Sequence, residues 1–273
     1  TGCTSGIGRA TAIRLAGAGW RVLAGYRKPA DGESLGQLAE VEPIELDVTS
    51  DEQIAAAAAH TEALSPGGLD ALINNAGYAF PAAVELTTPA TLTELLNVNV
   101  VGPLRMTRAL LPALRRRRGR IVNVSSMNGT VALPMVGGYS ASKFALEALS
   151  DTLRVELRPW GIQVISIRPG QVQTAIFDKA RTELASGAAT IPEPLRPEYE
   201  RMYRAASRFN ERGAKRAGDA ADVARVIAKA LAARRPRARY IVGWDAWGLH
   251  LAKRWLPPRI FDRAIARACG LLK

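Results

Sequence analysis

The sequence predicts an α/β protein, a single domain built on a parallel, doubly wound sheet, and three features carry the prediction. Short apolar runs recur between stretches of helical spacing, at Arg21 to Tyr26, Pro43 to Leu46, Leu69 to Ile73, Ile121 to Val124, Ile162 to Ile167 and Tyr240 to Val242, the alternation that yields parallel strands joined by crossover helices. A glycine-rich stretch, Thr1 to Gly8, opens directly into a helical pattern. Small and polar residues gather where the runs end, at Asp47, Asn75 to Gly77, Ser126 and Pro169-Gly170, and ligands of such sheets bind outside the carboxyl ends of the strands.

Composition sets bounds on function. With 48% hydrophobic residues in 273, the chain can bury the core of one large domain. The net charge of +12 is uneven, because residues 234–273 hold ten Lys or Arg against two Asp, or +8, which leaves +4 on the body. A general nucleic-acid surface would spread its basic residues over the fold, so no nucleic-acid partner is expected and the tail has a separate role. No apolar run reaches the ~18 residues that span a bilayer, and no signal-peptide pattern stands at Thr1. Cys3 and Cys269, at opposite ends, read as reduced thiols in a reducing compartment, the cytoplasm. His60 and His250 have no acid or cysteine at ligand spacing, so no metal is expected.

Taken in order, Gly2, Thr4, Ser5, Gly6, Ile7 and Gly8 form the loop before a helix that runs through Arg9 to Ala18. Glycines permit the tight turn, and the helix N-terminus offers free N–H groups to a pyrophosphate. After the first apolar run come Arg27 and Lys28, where an NAD site carries an acid for the ribose hydroxyls. A basic pair there suits a 2′-phosphate and favours NADP(H); the other reading is two solvated cations in a loop. Asp47 and Val48 end the next strand, with Thr49 or Ser50 capping a helix through Leu64; Asp47 reads either as part of the crevice or as a cap. Asn75, Ala76 and Gly77 end the strand after that, small enough for backbone to approach a ribose. A helix over Thr88 to Leu114 holds Asn97, Asn99 and Gly102 in its middle, poor helix formers that predict a local irregularity. Arg115 to Arg118 follow as a solvated cationic face.

The chemistry centres on Ser126 to Lys143. Tyr139 and Lys143, four apart, share one face of a helix. An ammonium close to a phenol favours the phenolate and makes the hydroxyl a usable proton donor and acceptor. Ser126, thirteen residues upstream at a strand end, points at the same place.

These residues, in this order, resemble the short-chain dehydrogenase/reductase family over nearly the whole chain. The family's glycine motif falls on Thr1 to Gly8, its Asn-Asn-Ala-Gly motif on Asn74 to Gly77, its Pro-Gly motif on Pro169 and Gly170, and its tetrad on Asn99, Ser126, Tyr139 and Lys143. The resemblance implies a Rossmann-type fold and hydride transfer between a nicotinamide and a carbonyl or carbinol carbon. Tyr139 would donate the proton, Ser126 would bond the same oxygen, Lys143 would lower the phenol pKa and hold the ribose, and Asn99 would anchor a relaying water. Val172 and Thr174, beyond Pro169-Gly170, join the cofactor set. Thr1 to Gly8, Asn99 to Gly102 and Tyr139 to Glu147 are similar to the hydroxysteroid and retinol dehydrogenase-like branch, which implies a small apolar alcohol or ketone as substrate. Family members commonly pair through the helices carrying Asn99 and Tyr139, implying a homodimer or homotetramer. The family's first strand would precede Thr1, so the expectation is a chain whose natural start lies upstream, with strand edges left unpaired.

Residues 1–243 thus read as the dinucleotide-binding and catalytic domain. Within it a substrate-covering insertion spans about 175–218, with Phe177, Ile191, Tyr199, Met202, Tyr203 and Phe209 among Arg181, Arg196, Arg201, Arg204 and Arg208. The aromatics suit an apolar pocket; the arginines suit either an anionic substrate group or solvent. Residues 244–273 read as a basic amphipathic tail of two helices split at Pro257-Pro258. Trp244, Trp247, Leu251 and Trp255 share one face, and Ile260, Phe261, Ala264, Ile265, Ala268, Leu271 and Leu272 form a stripe opposite Arg259, Arg263 and Arg267. Such faces either lie on an anionic membrane surface or pack on the domain or a second subunit. A dinucleotide-binding scaffold or sensor without turnover is the competing function.

Overall fold

The structure is a computed structural model that describes residues 1–187, 191–214 and 216–272, without the side chains of residues 176, 177, 181, 185 and 186. The expected pocket residues Phe177 and Arg181 therefore lie outside the described side chains. Six parallel strands, β1 (Val22–Tyr26), β2 (Val41–Glu45), β3 (Ala71–Asn74), β4 (Arg120–Val124), β5 (Gln163–Pro169) and β6 (Arg239–Val242), alternate with eleven α-helices among the described residues. β1 pairs with β2, and β3 to β6 pair in sequence order. The two parts of the sheet face each other across a cavity of about 530 Å³, lined by Leu23 and Gly25 of β1 and Leu72 and Ile73 of β3. Cys3 reaches across at its start, its N–H donating to Gly25 O at 3.0 Å.

Alternation along the strands explains the layering. Leu72, Ile121 and Val164 face one side and pack on Ile54 and Ala57 of α3 (Asp51–Leu64) and on Met106, Leu110 and Leu114 of α5 (Gly102–Arg117). Val122, Val124, Ile165 and Ile167 face the other and meet Leu15 of α1 (Gly6–Ala16) and Val223, Ile227 and Ala230 of α9 (Ala220–Ala232). Polar residues follow the strand ends, where side chains need not be apolar.

Between β1 and β2 the chain forms α2 (Pro29–Gly36), an element the apolar pattern does not predict. The helix expected over Thr88 to Leu114 is α4 (Pro89–Leu96), a π-helical turn over Asn97–Val101, and α5. The irregularity thus falls on the two asparagines, and Gly102 is small because a Cβ there would stand 2.7 Å from Val48 Cγ2. α5 runs on to Arg117, so Arg115 to Arg117 form its last turn rather than following it. Arg116 and Arg117 pair with Glu62 and Asp70. α6 (Gly137–Glu156) carries Tyr139 and Lys143. The insertion is two helices, α7 (Ala175–Gly187) and α8 (Arg196–Ala214), where Tyr203 and Ile191 are buried with Leu184. The tail is α10 (Trp244–Trp255) and α11 (Pro258–Ala268). No described helix is long and apolar enough to cross a membrane.

Candidate active site

The glycine loop is built for close approach. Gly2 has φ +67, and a Cβ on Gly8 would stand 2.0 Å from Gly2 O. Ser5 precedes α1 without capping it through its side chain, so the first N–H groups of the helix stay available to a phosphate. That open cradle, with its glycines, fits the pyrophosphate of a dinucleotide. Asn75 holds the loop in place: its amide donates to Thr1 O and Gly2 O at 3.1 and 3.0 Å. Asn74, behind it, is buried and donates to Asn123 Oδ1 at 2.9 Å, tying β3 to β4. Ala76 donates its backbone N–H to Thr1 Oγ1 at 2.9 Å.

Arg27 and Lys28 stand exposed just past β1, and Arg27 lies 4.0 Å from Asp47. Asp47 closes the turn before α3, accepting from the Thr49 N–H and hydroxyl at 2.8 and 2.7 Å, and the helix cap is Ser50, whose side chain accepts the Gln53 N–H at 3.2 Å. Burial pushes the Asp47 carboxyl up, but the Thr49 hydrogen bonds and Arg27 outweigh burial and hold it below the usual range. Val48 is buried under Gly102.

Ser126, at the end of β4, and Tyr139 and Lys143, on α6, line one pocket of about 230 Å³ together with Ile7, Gly77, Pro169, Gly170, Val172 and Thr174. Thr174 also touches the glycine loop, 2.9 Å from where a Gly6 Cβ would be. The rest of the wall is mostly apolar, including Leu133, Met135, Leu184, Met202, Phe209 and Leu271. Met135 is buried at φ +66, a left-handed conformation that a long side chain rarely adopts. Of the insertion's aromatics, Phe209 reaches this pocket, whereas Tyr199 bonds Glu85 at the surface.

The expected effect of the ammonium on the phenol is corrected by the surroundings. Burial pushes the Tyr139 phenol up from its ordinary value, and only the hydrogen bond with Ser126 lowers it. The Lys143 ammonium stands 5.7 Å from the tyrosine ring centroid and donates to Val124 O at 3.0 Å. It is Lys143 that titrates early: burial brings it down to about 8, against an opposing pull from Glu147. Desolvation penalises a charge in either group, and here it outweighs the Ser126 hydrogen bond on the phenol and the Glu147 charge acting on the ammonium.

Asn99 is fully buried at the π-helical turn. Its Oδ1 accepts the Tyr78 N–H at 3.0 Å, and its Nδ2 donates to Tyr78 O and Ser142 Oγ at 2.9 and 3.0 Å. The side chain therefore locks the loop after Gly77 to α6, one residue before Lys143. The loop must be small there, since a Gly77 Cβ would come 2.9 Å from Asn99 Oδ1.

Two groups beside the site carry no signature of their own in the sequence. Glu147, one turn beyond Lys143, is buried and accepts from Arg168 Nε and Nη2 at 2.9 and 2.6 Å and from Ser166 Oγ at 2.5 Å. Burial pushes its carboxyl up, yet these bonds hold it below the ordinary range. Asp245, on α10, takes the Gln171 N–H at 2.7 Å. Only the spacing from Tyr139 through Lys143 to Glu147, four and four, hints at the first. Among the described residues no three His, Cys, Asp or Glu gather as a metal set, and His60 pairs with Glu42 at 2.6 Å.

Residues 1–185 match the family model for short chain dehydrogenases. The chain is 38% identical to human retinol dehydrogenase 16 over 96% of its length and 85% of that protein. It is 35% identical to human 17-beta-hydroxysteroid dehydrogenase type 6, over 98% and 87%. Among solved structures it resembles a short chain dehydrogenase from Burkholderia cenocepacia in complex with NADP, with TM-score 0.73, 27% identity and 96% and 94% of the two chains covered. It also resembles one from Burkholderia phymatum in complex with NAD, with TM-score 0.75, 29% identity and 93% and 89% covered.

Proposed function

The chain belongs to the short-chain dehydrogenase family, in its retinol and hydroxysteroid dehydrogenase branch, and from that premise we propose that it interconverts a carbonyl and an alcohol on an apolar, steroid-, retinoid- or lipid-like substrate, with NADP(H) preferred to NAD(H). The observation that carries this reading is the meeting of Ser126, Tyr139 and Lys143 on one wall of a mostly apolar pocket beside the glycine cradle. A bound dinucleotide supplies or takes the hydride at the substrate carbon. Tyr139 gives its proton to the substrate oxygen in reduction and takes it back in oxidation, and Ser126 hydrogen-bonds that oxygen. The phenol, which burial pushes up from its ordinary value, is protonated at neutral pH, the form that donates. Lys143, cationic below about pH 8, sets positive charge beside the phenolate that donation leaves. Asn99 contributes by fixing the π-helical turn against α6.

Exposed Arg27 and Lys28, with Arg27 held only loosely by Asp47, support the choice of a 2′-phosphate. Tyr139→Phe keeps the ring and removes the proton. On a panel of steroid, retinoid and fatty ketones, turnover should fall about 10²- to 10⁴-fold with NADPH binding retained. Residual turnover near the wild-type rate would count against the role of Tyr139, and a wild-type protein that binds NADPH yet turns over nothing would favour a dinucleotide sensor.

The same proposal places the protein at an anionic membrane surface, as a homodimer or homotetramer. Trp244, Trp247, Leu251 and Trp255 of α10 all face outward, Trp255 with 74% exposure, next to exposed Lys253 and Arg254. Such a face suits the headgroup boundary. The expected stripe is divided: Phe261 of α11 is buried and Leu271, beyond the helix, lines the pocket, while Ile260 and Leu272 stay exposed. Flotation with phosphatidylserine vesicles should carry the wild type and leave a triple Trp→Ala variant behind; equal recovery of both from the soluble fraction ends the idea. Light scattering on a sizing column reads the subunit number.

A further inference from the structure

The pocket loop after β5 is fastened to the far end of the chain. Gly170 donates its N–H to Val242 O at 2.8 Å, and Gln171 donates the next N–H to Asp245 Oδ2 at 2.7 Å. Asp245 is the second residue of α10, seventy-four positions beyond Gln171. Its carboxylate suits that place, because the first turn of a helix presents the positive end of the dipole.

The surrounding backbone is shaped around the same carboxylate. A Cβ on Gly170 would stand 2.1 Å from Asp245 Oδ1, and one on Gly243 would stand 2.5 Å from it. Gly243 also has φ +103, the turn that swings the chain from β6 into α10. Two glycines, on segments far apart in sequence, thus leave room for one acid. Pro169, Gly170 and Gln171 line the pocket with Tyr139 and Lys143, and Asp245 itself does not.

We propose that Asp245 is a positioning residue for the dinucleotide: it holds the Pro169-Gly170-Gln171 backbone in the shape that receives the cofactor, acting through the loop and not by touching the ligand. The proposal rests on the reading of this pocket as a nicotinamide dinucleotide site. Without the acid, the Gln171 N–H loses a charged acceptor and the loop is free to move into the space that the carboxylate held.

The test is calorimetric titration of NADPH into purified wild type and variants, with thermal unfolding of each ligand-free protein alongside. Asp245→Ala should weaken NADPH about tenfold, the size expected for losing one hydrogen bond to a charged acceptor. Asp245→Ser should do the same, since its hydroxyl is too short to reach Gln171 while it still suits a helix start; it serves if the alanine variant does not fold. Asp245→Asn retains an oxygen acceptor and should bind within about threefold of wild type. Gly170→Ala should weaken binding strongly in the wild type and much less in the Asp245→Ala background, because the three nearest atoms to its Cβ are Oδ1, Oδ2 and Cγ of Asp245. NADPH affinity unchanged in the serine variant, or lost equally in the asparagine variant, overturns the positioning role. Failure of wild type to bind NADPH or NADH overturns the dinucleotide reading itself, and this proposal with it.

Discussion

Removing the charge of Glu147, which lies outside the pocket lining, should be strongly destabilising. The Glu147 and Arg168 side chains are both 8% exposed, with two hydrogen bonds between them and a third from Ser166. Arg239 stands farther out, at 3.9 Å, and is otherwise paired with Asp151. Glu147→Gln leaves the Arg168 guanidinium buried without its counter-charge, a change that costs about 3–5 kcal/mol in comparable sites. With an unfolding entropy of about 2.1 cal/mol/K per residue, a chain of 273 residues should lose roughly 5–9 °C in Tm. Acid should erase the difference. A carboxyl held below its ordinary value in the folded state contributes stability that is complete above the unfolded value near ~4.3, and that contribution is lost as pH falls through the lower folded value. The gap between wild type and variant, wide at neutral pH, should therefore close below about pH 4. Glu147 also pulls the Lys143 pKa upward against burial, so the basic limb of the pH–rate profile should move to lower pH in the variant. Calorimetry from pH 3 to 8 and a steady-state pH profile read both effects. A Tm within about 2 °C of wild type, smaller than one unpaired buried charge allows, together with an unmoved basic limb, would refute the reasoning.

Other outcomes follow from the same contacts. Arg27→Asp should weaken NADPH by about 10- to 100-fold, the range for charge-assisted bonds to a phosphate, and leave NADH unchanged or improved; a parallel loss of both cofactors would mean that Arg27 does not meet a 2′-phosphate. Gly8→Ala should abolish dinucleotide binding, because its Cβ would fall 2.0 Å from Gly2 O, while Gly17→Ala, at φ −64 with 3.4 Å to its nearest neighbour, should be neutral or stabilising by ~0.5 kcal/mol. Titration of the two proteins with NADPH, with Tm as the control, separates the cases. Rates of reduction by wild type should decline as pH rises through about 8, where Lys143 loses its charge; a reductive profile flat to pH 10 would remove Lys143 from the proton chemistry.

What was legible in the sequence is what a local demand imposes. The glycines of the first loop, the asparagines at the π-helical turn and the spacing of Tyr139 and Lys143 are each required by backbone or chemistry within a few residues. α2 was not legible, because Pro29-Ala30-Asp31-Gly32 reads as a turn; Gly32 is small there for a reason set elsewhere, the Tyr26 ring lying 2.6 Å from where its Cβ would be. Glu147 looks like any helix-surface acid until β5 lays Arg168 against it, and Asp245 looks like a first-turn acid until the loop after β5 is seen to end on it. The phenol shows the same division in one pair of residues. Four residues of helix put Tyr139 and Lys143 on a common face, but the sign of the phenol's pKa shift is decided by burial, which outweighs the Ser126 hydrogen bond, while the ammonium donates to Val124 O. Spacing fixes which groups can meet, and burial by distant segments fixes which charge state each holds when they do. A sequence reading of proton chemistry in this fold therefore needs the partners of β4 and β5 before it can assign a direction.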